Sequence, residues 1–235
     1  MRAEVGRRTV RERRFSGRRE VAIGLGVYAL YLLASRRKRG EVGRLQAARN
    51  AERVVALERR LGIHVEPKLQ ELLLPHRRLL GVLNVAYVVS NAALTVGFLM
   101  RLYARRHPEF HRFRRAAVLT TLACQPIFYV FPCAPPRSLD HFVDTIADVS
   151  GIDLDSGAVA QLYDPLAAMP SIHVAYAVVT AAGIAEASGS PLLRALAPAY
   201  PPLVAAVVFV TANHYVLDAV AGAAIAGAAL HVTRK

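Results

Sequence analysis

Cysteine is nearly absent: two residues in 235, Cys124 inside an apolar run and Cys133 just beyond it. Two thiols so placed exclude a fold built on a disulfide framework. Acidic residues are also scarce, 17 against 30 lysines and arginines, which leaves a formal charge of +13. That balance would suit a nucleic-acid binder, yet 54% of the chain is hydrophobic. The apolar residues gather in blocks and the charge gathers between them. A nucleic-acid binder does not hide half its chain in this way. Basic loops between apolar blocks are the pattern of a polytopic membrane protein, so a membrane partner is expected and nucleic acid is not. A cleavage pattern is missing too. The arginine-rich start and the apolar run 21–34 mimic an export signal, but Arg36-Arg37-Lys38-Arg39 follows at once with no small-residue site, so the segment is expected to stay uncleaved.

What is present divides the chain in two. Residues 1–19 hold eight arginines against two glutamates and are expected to be a disordered basic tail resting on anionic headgroups. Residues 20–235 are expected to form one membrane-embedded domain. Its first apolar run, 21–34, is shorter than the roughly 20 residues of a perpendicular span and would need its flanking arginines to snorkel. Residues 41–74 alternate Leu45, Ala48, Val55, Leu57 and Leu61 with Arg44, Arg49, Arg53, Arg59 and Arg60, which predicts an amphipathic interfacial segment broken at Gly62. Spans are predicted at 79–102, 116–131, 171–187, 195–212 and 215–232. Pro198, Pro201 and Pro202 interrupt the fourth of these, and small residues such as Gly222 and Ala226 let the last approach its neighbours closely. The fold class is therefore all-α: a polytopic membrane bundle of about six transmembrane helices with an N-terminal interfacial helix. Asn84, Tyr87 and Asn91 make a polar stripe that either lines a headgroup cleft or holds helices together.

Loop charge gives an orientation. Residues 101–115 carry six arginines and one glutamate and should be cytoplasmic, whereas 132–170 carry Arg137 against six aspartates and should lie outside. Counting crossings puts Arg137, His173 and His214 on the same extracytoplasmic face, with the basic tail and the C-terminus in the cytoplasm. A first span at 21–34 would leave the basic stretch 36–78 outside, against the same rule.

Two stretches then carry the chemistry, Pro170-Ser171-Ile172-His173 and Asn213-His214-Tyr215-Val216-Leu217-Asp218. His214 and Asp218 are four apart, on one face of a helix. A polar pair at the mouth of an apolar helix is costly in lipid and points to function. An unprotonated imidazole can attack phosphorus, provided its other nitrogen is held by an acceptor such as Asp218. His173 can protonate a leaving alkoxide. Ser171, after Pro170, can cap its helix or turn its hydroxyl to phosphate, with helix amides behind it. Arg137, in the stiff stretch Phe131-Pro132-Cys133-Ala134-Pro135-Pro136-Arg137, offers a planar fork for phosphate oxygens.

The stretches 131–137, 170–173 and 214–218 together resemble the three signature motifs of the type 2 phosphatidic acid phosphatase superfamily. The proline-rich first motif and the amphipathic segment before the large apolar block look more like its inositol phosphorylceramide synthase-like branch. The resemblance implies a metal-independent helical enzyme of the membrane that needs no cofactor. His214 would be the nucleophile, Asp218 its orienting partner, His173 the general acid, and Arg137 and Ser171 the phosphate binders. The substrate would be a lipid phosphate or a phospholipid headgroup, handled through a phosphohistidine by a phosphatase or a phosphotransferase. Two cations of the broad family pattern are absent: Val130 stands seven residues before Arg137, and Val208 six before His214. Arg77, Arg78 and Asn213 are candidates to replace them. Asp140 and Asp144, close after Arg137, could bind a polyol headgroup or cap a helix, and Asn213 could serve the headgroup too. Two other readings stand beside this one: a zinc enzyme using His173, His214 and Asp218, and a non-catalytic transporter or assembly protein with a degenerate site. Interfacial or solvated roles are the default for His64, His76, His107, His111, His141 and His231.

Overall fold

The computed structural model describes residues 15–36, 40–154 and 163–234. The predicted tail falls mostly outside these residues. Its last part does not: α1 (Gly17–Arg36) begins inside the stretch read as tail. Next come α2 (Glu41–Leu61) and α3 (Glu66–Leu73), separated at Gly62. Gly62 takes the left-handed conformation (φ 70°), and its N–H returns to the carbonyls of Glu58 and Arg59, the helix stop that glycine makes with least strain. The face that α2 turns to the protein is one of small residues, and the leucines read as facing the interface lie on the outside. Ala47, Asn50, Ala51, Val54, Val55 and Glu58 are buried, while Leu45 and Leu57 are exposed. Small side chains let the α2 backbone come close to the proline-rich stretch, where Ala134 N–H bonds the Ala47 carbonyl at 3.2 Å and Asn50 donates to the Pro132 carbonyl.

The predicted span 79–102 is bent. α4 (Arg77–Val85) passes through a π-turn at Ala86–Ser90 into α5 (Asn91–Ala104), and the two halves meet at 47°. Asn84 pins the first half to α7 (Thr145–Ser150), donating to the Thr145 carbonyl at 2.7 Å and accepting from the Thr145 hydroxyl. The Asn91 side chain lies outside the described residues. α6 (Phe110–Val130) leads into the proline-rich turn, and α8 (Ile172–Ala187) starts from Ser171, whose Oγ accepts from Val174 N–H. The proline-interrupted stretch resolves into α9 (Pro191–Leu196), a 3₁₀ turn and α10 (Tyr200–Val210), before α11 (Val216–Thr233).

The described residues are thus helical, with an isolated bridge between Cys133 and Ala167. Among the described residues two stretches, Pro191–Val210 and Val216–Thr233, are long and apolar enough to cross a membrane, and the bent pair makes a third if it counts as one span. α6 fails that test because its first turns carry Arg112, Arg114 and Arg115, and α8 is short. α8 sits at the centre, against α5, α6, α10 and α11. Arg112 of α6 pairs with Glu186 near the end of α8, and Arg114 with Glu20 of α1 at 2.9 Å. The arginine-rich end of the bundle therefore lies opposite the end where α8 and α11 begin.

α8 and α11 touch at a glycine. A Cβ on Gly222 would fall 2.2 Å from the Ser171 carbonyl oxygen, a backbone atom that cannot step aside, whereas Gly227 on the same helix faces open space. Gly222→Ala should lower stability by about 1–3 kcal/mol through overpacking. Gly227→Ala should be neutral or slightly stabilising. Thermal melts of the two variants in detergent measure the difference.

Candidate active site

Main-chain hydrogen bonds assemble the site before any side chain is considered. Cys133 and the stretch 166–168 exchange two of them, Cys133 N–H to the Leu166 carbonyl at 2.8 Å and Ala168 N–H to the Cys133 carbonyl at 3.1 Å. Arg137 N–H donates to the Ala212 carbonyl at 2.8 Å, and Ser171 N–H to the Asp218 carbonyl at 2.9 Å. The proline-rich turn, the start of α8 and the start of α11 are thereby fixed to one another. Buried main-chain groups must be paired, so these contacts set the register of all three stretches.

On this frame the two histidines meet. His173 Nδ1 lies 3.2 Å from His214 Nε2. His214 Nδ1 lies 2.8 Å from the Ala168 carbonyl and 3.4 Å from Asp218 Oδ2. A carbonyl can only accept, so His214 carries its hydrogen on Nδ1 and presents the Nε2 lone pair towards His173. The nearest acceptor that holds this tautomer is Ala168, a residue with no sequence signal because its contribution is main chain. Asp218 makes its shorter bond with Tyr215 N–H, at 2.9 Å, and so caps the helix it belongs to as well as facing His214. The His173 ring stacks on Tyr87 from the π-turn, with centroids 4.5 Å apart and planes 26° apart. Thus Tyr87, a member of the polar stripe predicted with Asn84 and Asn91, supports a candidate site histidine directly.

Arg137 is buried, with 1% of its side chain exposed. Its Nε donates to Asn213 Oδ1 at 3.2 Å and its Nη1 to Asp144 Oδ2 at 3.1 Å. Asp144 in turn caps α7 through Oδ1, which accepts from Ile146 and Ala147 N–H. Asn213 donates to the Thr211 carbonyl and hydroxyl. Asp144 and Asn213 therefore position the arginine. Asp140 is exposed on the surface, and Ser171 is fully buried with its hydroxyl on Val174 N–H. Arg77 and Arg78 are exposed, Arg77 donating to the Asp148 carbonyl, so Asn213 is the one of the three proposed substitutes that touches Arg137. Val130 is exposed, and Val208 is buried with its carbonyl accepting from the Asn213 and His214 amides.

Two further residues escaped the sequence reading. The first amides of α11 need partners, as at any helix start. Val216 N–H donates to Glu66 Oε1 at 2.7 Å and Leu217 N–H to Glu58 Oε1 at 2.8 Å. Both carboxylates reach across about 150 residues of sequence, a separation at which no local pattern exists.

Burial pushes the His214 imidazole down to about 4, and the Arg137 charge adds to this, against an opposing pull from the Ala168 carbonyl. At neutral pH Nε2 is therefore unprotonated and available. A histidine that attacks phosphorus must be unprotonated, and His214 is so above its pKa, so a nucleophilic role for it predicts an acid limb of kcat/KM that falls as pH drops through about 4 rather than near the ordinary histidine value. A pH–rate profile against a phosphate ester measures it.

Comparison with known proteins extends the geometry. No curated protein and no solved structure matches the chain. A family model does, over residues 52–232, which takes in the proline-rich turn, His173, His214 and α11 except its last residue. On that match the chain belongs to the PAP2 superfamily, a group made up in general of phosphatases.

Proposed function

We propose that the chain is an integral membrane phosphotransferase or phosphatase acting on a lipid phosphate or phospholipid headgroup, through a phosphohistidine on His214. The observation that carries this reading is the 3.2 Å contact between His173 Nδ1 and His214 Nε2, with the Nδ1–H of His214 held by Ala168. An incoming phosphate takes the place of that contact. Its negative charge favours the imidazolium form of His173, and Arg137 lies behind it with a fixed positive charge. His214 Nε2 then bonds to phosphorus while the bond to the leaving oxygen breaks. His173 gives its proton to that oxygen, which departs as an alcohol. In the second half His173, now neutral, takes a proton from the acceptor hydroxyl. The acceptor oxygen bonds to phosphorus, and the phosphorus–nitrogen bond breaks. Water as acceptor makes the enzyme a phosphatase, and an alcohol makes it a synthase.

A lipid substrate is supported by an apolar cavity of about 580 Å³ between α1, α5, α6 and α8. Val21, Val27, Val96, Leu99 and Tyr176 line it, and so does Ile172, the neighbour of His173. A cavity of this size and character suits a hydrocarbon chain, and its position would put an attached phosphate beside the histidines. We read the bundle as about six spans with the site on the extracytoplasmic face, and the exposed arginines of α2 (Arg44, Arg49, Arg53, Arg59, Arg60) as contacts for anionic headgroups. The valines at 130 and 208 favour the inositol phosphorylceramide synthase-like branch over the broad phosphatases.

His214→Ala should abolish turnover, and trapping with labelled substrate should find no phosphoprotein. His173→Ala should slow formation of the covalent intermediate by roughly 10²–10⁴-fold, the scale of general-acid catalysis. Arg137→Lys keeps the charge and loses the fork, and should lower kcat/KM by about 10- to 100-fold. A screen of lipid phosphates and phospholipids, reading phosphate release and product mass, tests all three. Turnover by the His214 variant would remove the phosphohistidine mechanism, and no turnover of any lipid by the wild type would remove the enzyme reading and favour a non-catalytic membrane role.

A further inference from the structure

A second group of ionisable side chains lies outside the paired histidines, where α2 turns into α3. Glu58 stands near the end of α2, His64 in the turn after Gly62, and Glu66 at the first position of α3. Both glutamate side chains are fully buried, and the His64 side chain is 9% exposed. His64 Nδ1 lies 3.3 Å from Glu58 Oε2 and 3.2 Å from Glu66 Oε2. The three potential ligand atoms all fall within 4.8 Å of one another.

Each glutamate spends its other oxygen on α11, Oε1 of Glu58 on Leu217 N–H and Oε1 of Glu66 on Val216 N–H. The inward-facing oxygens are left for something else. Oε2 of Glu66 is buried and accepts no hydrogen bond among the described residues, although it points at His64. One hydrogen on His64 Nδ1 cannot serve two carboxylates at once. Nor can one imidazolium charge neutralise two buried carboxylates, and uncompensated buried charge is strongly disfavoured. The partial positive charge at the start of α11 offsets only about half a unit.

The distances suggest what completes the cluster. In a tetrahedral zinc site with bonds of about 2.0–2.2 Å, neighbouring ligand atoms stand roughly 3.3–3.6 Å apart. The two separations from Nδ1, 3.3 and 3.2 Å, are close to that edge length. We propose that Glu58, His64 and Glu66 form a binding site for a divalent cation of the zinc class, held by His64 Nδ1 and the two Oε2 atoms. One imidazole and two carboxylates are an ordinary ligand set for such an ion, and its two charges balance the two acids. The ion ties the α2–α3 corner to the start of α11, the helix that carries Asp218. Its role is to hold the scaffold, and it takes no part in phosphoryl transfer.

The test uses the full-length protein in detergent, stripped with a chelator and titrated with ZnCl₂. We expect about one zinc per chain by elemental analysis, with a melting temperature raised on zinc addition because the folded form alone binds it. Glu66→Gln keeps an oxygen for Val216 N–H but removes the anionic ligand, and should weaken zinc binding at least tenfold, as should His64→Gln. His214→Ala should bind zinc like the wild type. Cobalt added to the unmodified protein should give the visible absorption of a tetrahedral nitrogen–oxygen site, a readout that needs no variant to fold. Retention of no zinc together with no melting shift would overturn the proposal, the cluster then being held by a proton. Undiminished binding in both Glu66→Gln and His64→Gln, or binding lost in His214→Ala, would overturn it by assigning the ion elsewhere. None of these measurements depends on turnover, so their failure is distinct from failure of the phosphotransferase reading.

Discussion

Everything at the site rests on main-chain hydrogen bonds between stretches far apart in the chain: Cys133 with Leu166 and Ala168, Arg137 with Ala212, and Ser171 with Asp218. Such bonds are insensitive to side-chain identity, and once buried they are costly to leave unmade. They bring the proline-rich turn, the start of α8 and the start of α11 into one rigid unit. The same unit supplies the Ala168 carbonyl that fixes the tautomer of His214. Proline at 132, 135 and 136 suits the turn because it restricts the backbone in advance. Preorganisation of this kind is what a phosphoryl-transfer site requires, since most of its catalysis is positioning and charge.

Charge is arranged by distance from that unit. Arg137 is held by Asp144 and Asn213, so its guanidinium is oriented by groups that also finish α7 and the loop before α11. On the other side of α11, Glu58 and Glu66 take its first amides. Negative side chains at a helix start are favourable because of the helix dipole and the unpaired N–H groups there. The helix that bears Asp218 is thus anchored from the α2–α3 corner, and the amphipathic segment is part of the scaffold as well as a surface.

The bundle separates its two ends. Arg112 with Glu186 and Arg114 with Glu20 close the arginine-rich end, while the histidines and Arg137 occupy the other. Between them runs the apolar cavity along α1, with Ile172 at its boundary with the site. The bend through the π-turn at Ala86–Ser90 puts Tyr87 on the face of His173, so an irregular turn supports a candidate site residue.

The sequence alone determined the helical class, the break at Gly62 and the pairing of His214 with Asp218, because each depends on spacing within a turn or two, and it left Ser171 open between a helix cap and a phosphate ligand. The periodicity of the apolar blocks marked the helices, and Pro198, Pro201 and Pro202 marked where the fourth large block breaks. It did not mark the face that α2 buries against the protein, since alanines packed against a proline-rich turn look no different in sequence from alanines facing lipid. Only the tertiary structure decided that Ala168 holds His214, that Asp144 and Asn213 hold Arg137, and that Tyr87 backs His173. It also decided that two glutamates from the amphipathic segment cap the last helix. These contacts join residues tens to more than a hundred positions apart, and many run through backbone atoms, which carry no residue identity. Local spacing could name the candidate site residues, but the partners that orient them are set by how the helices pack.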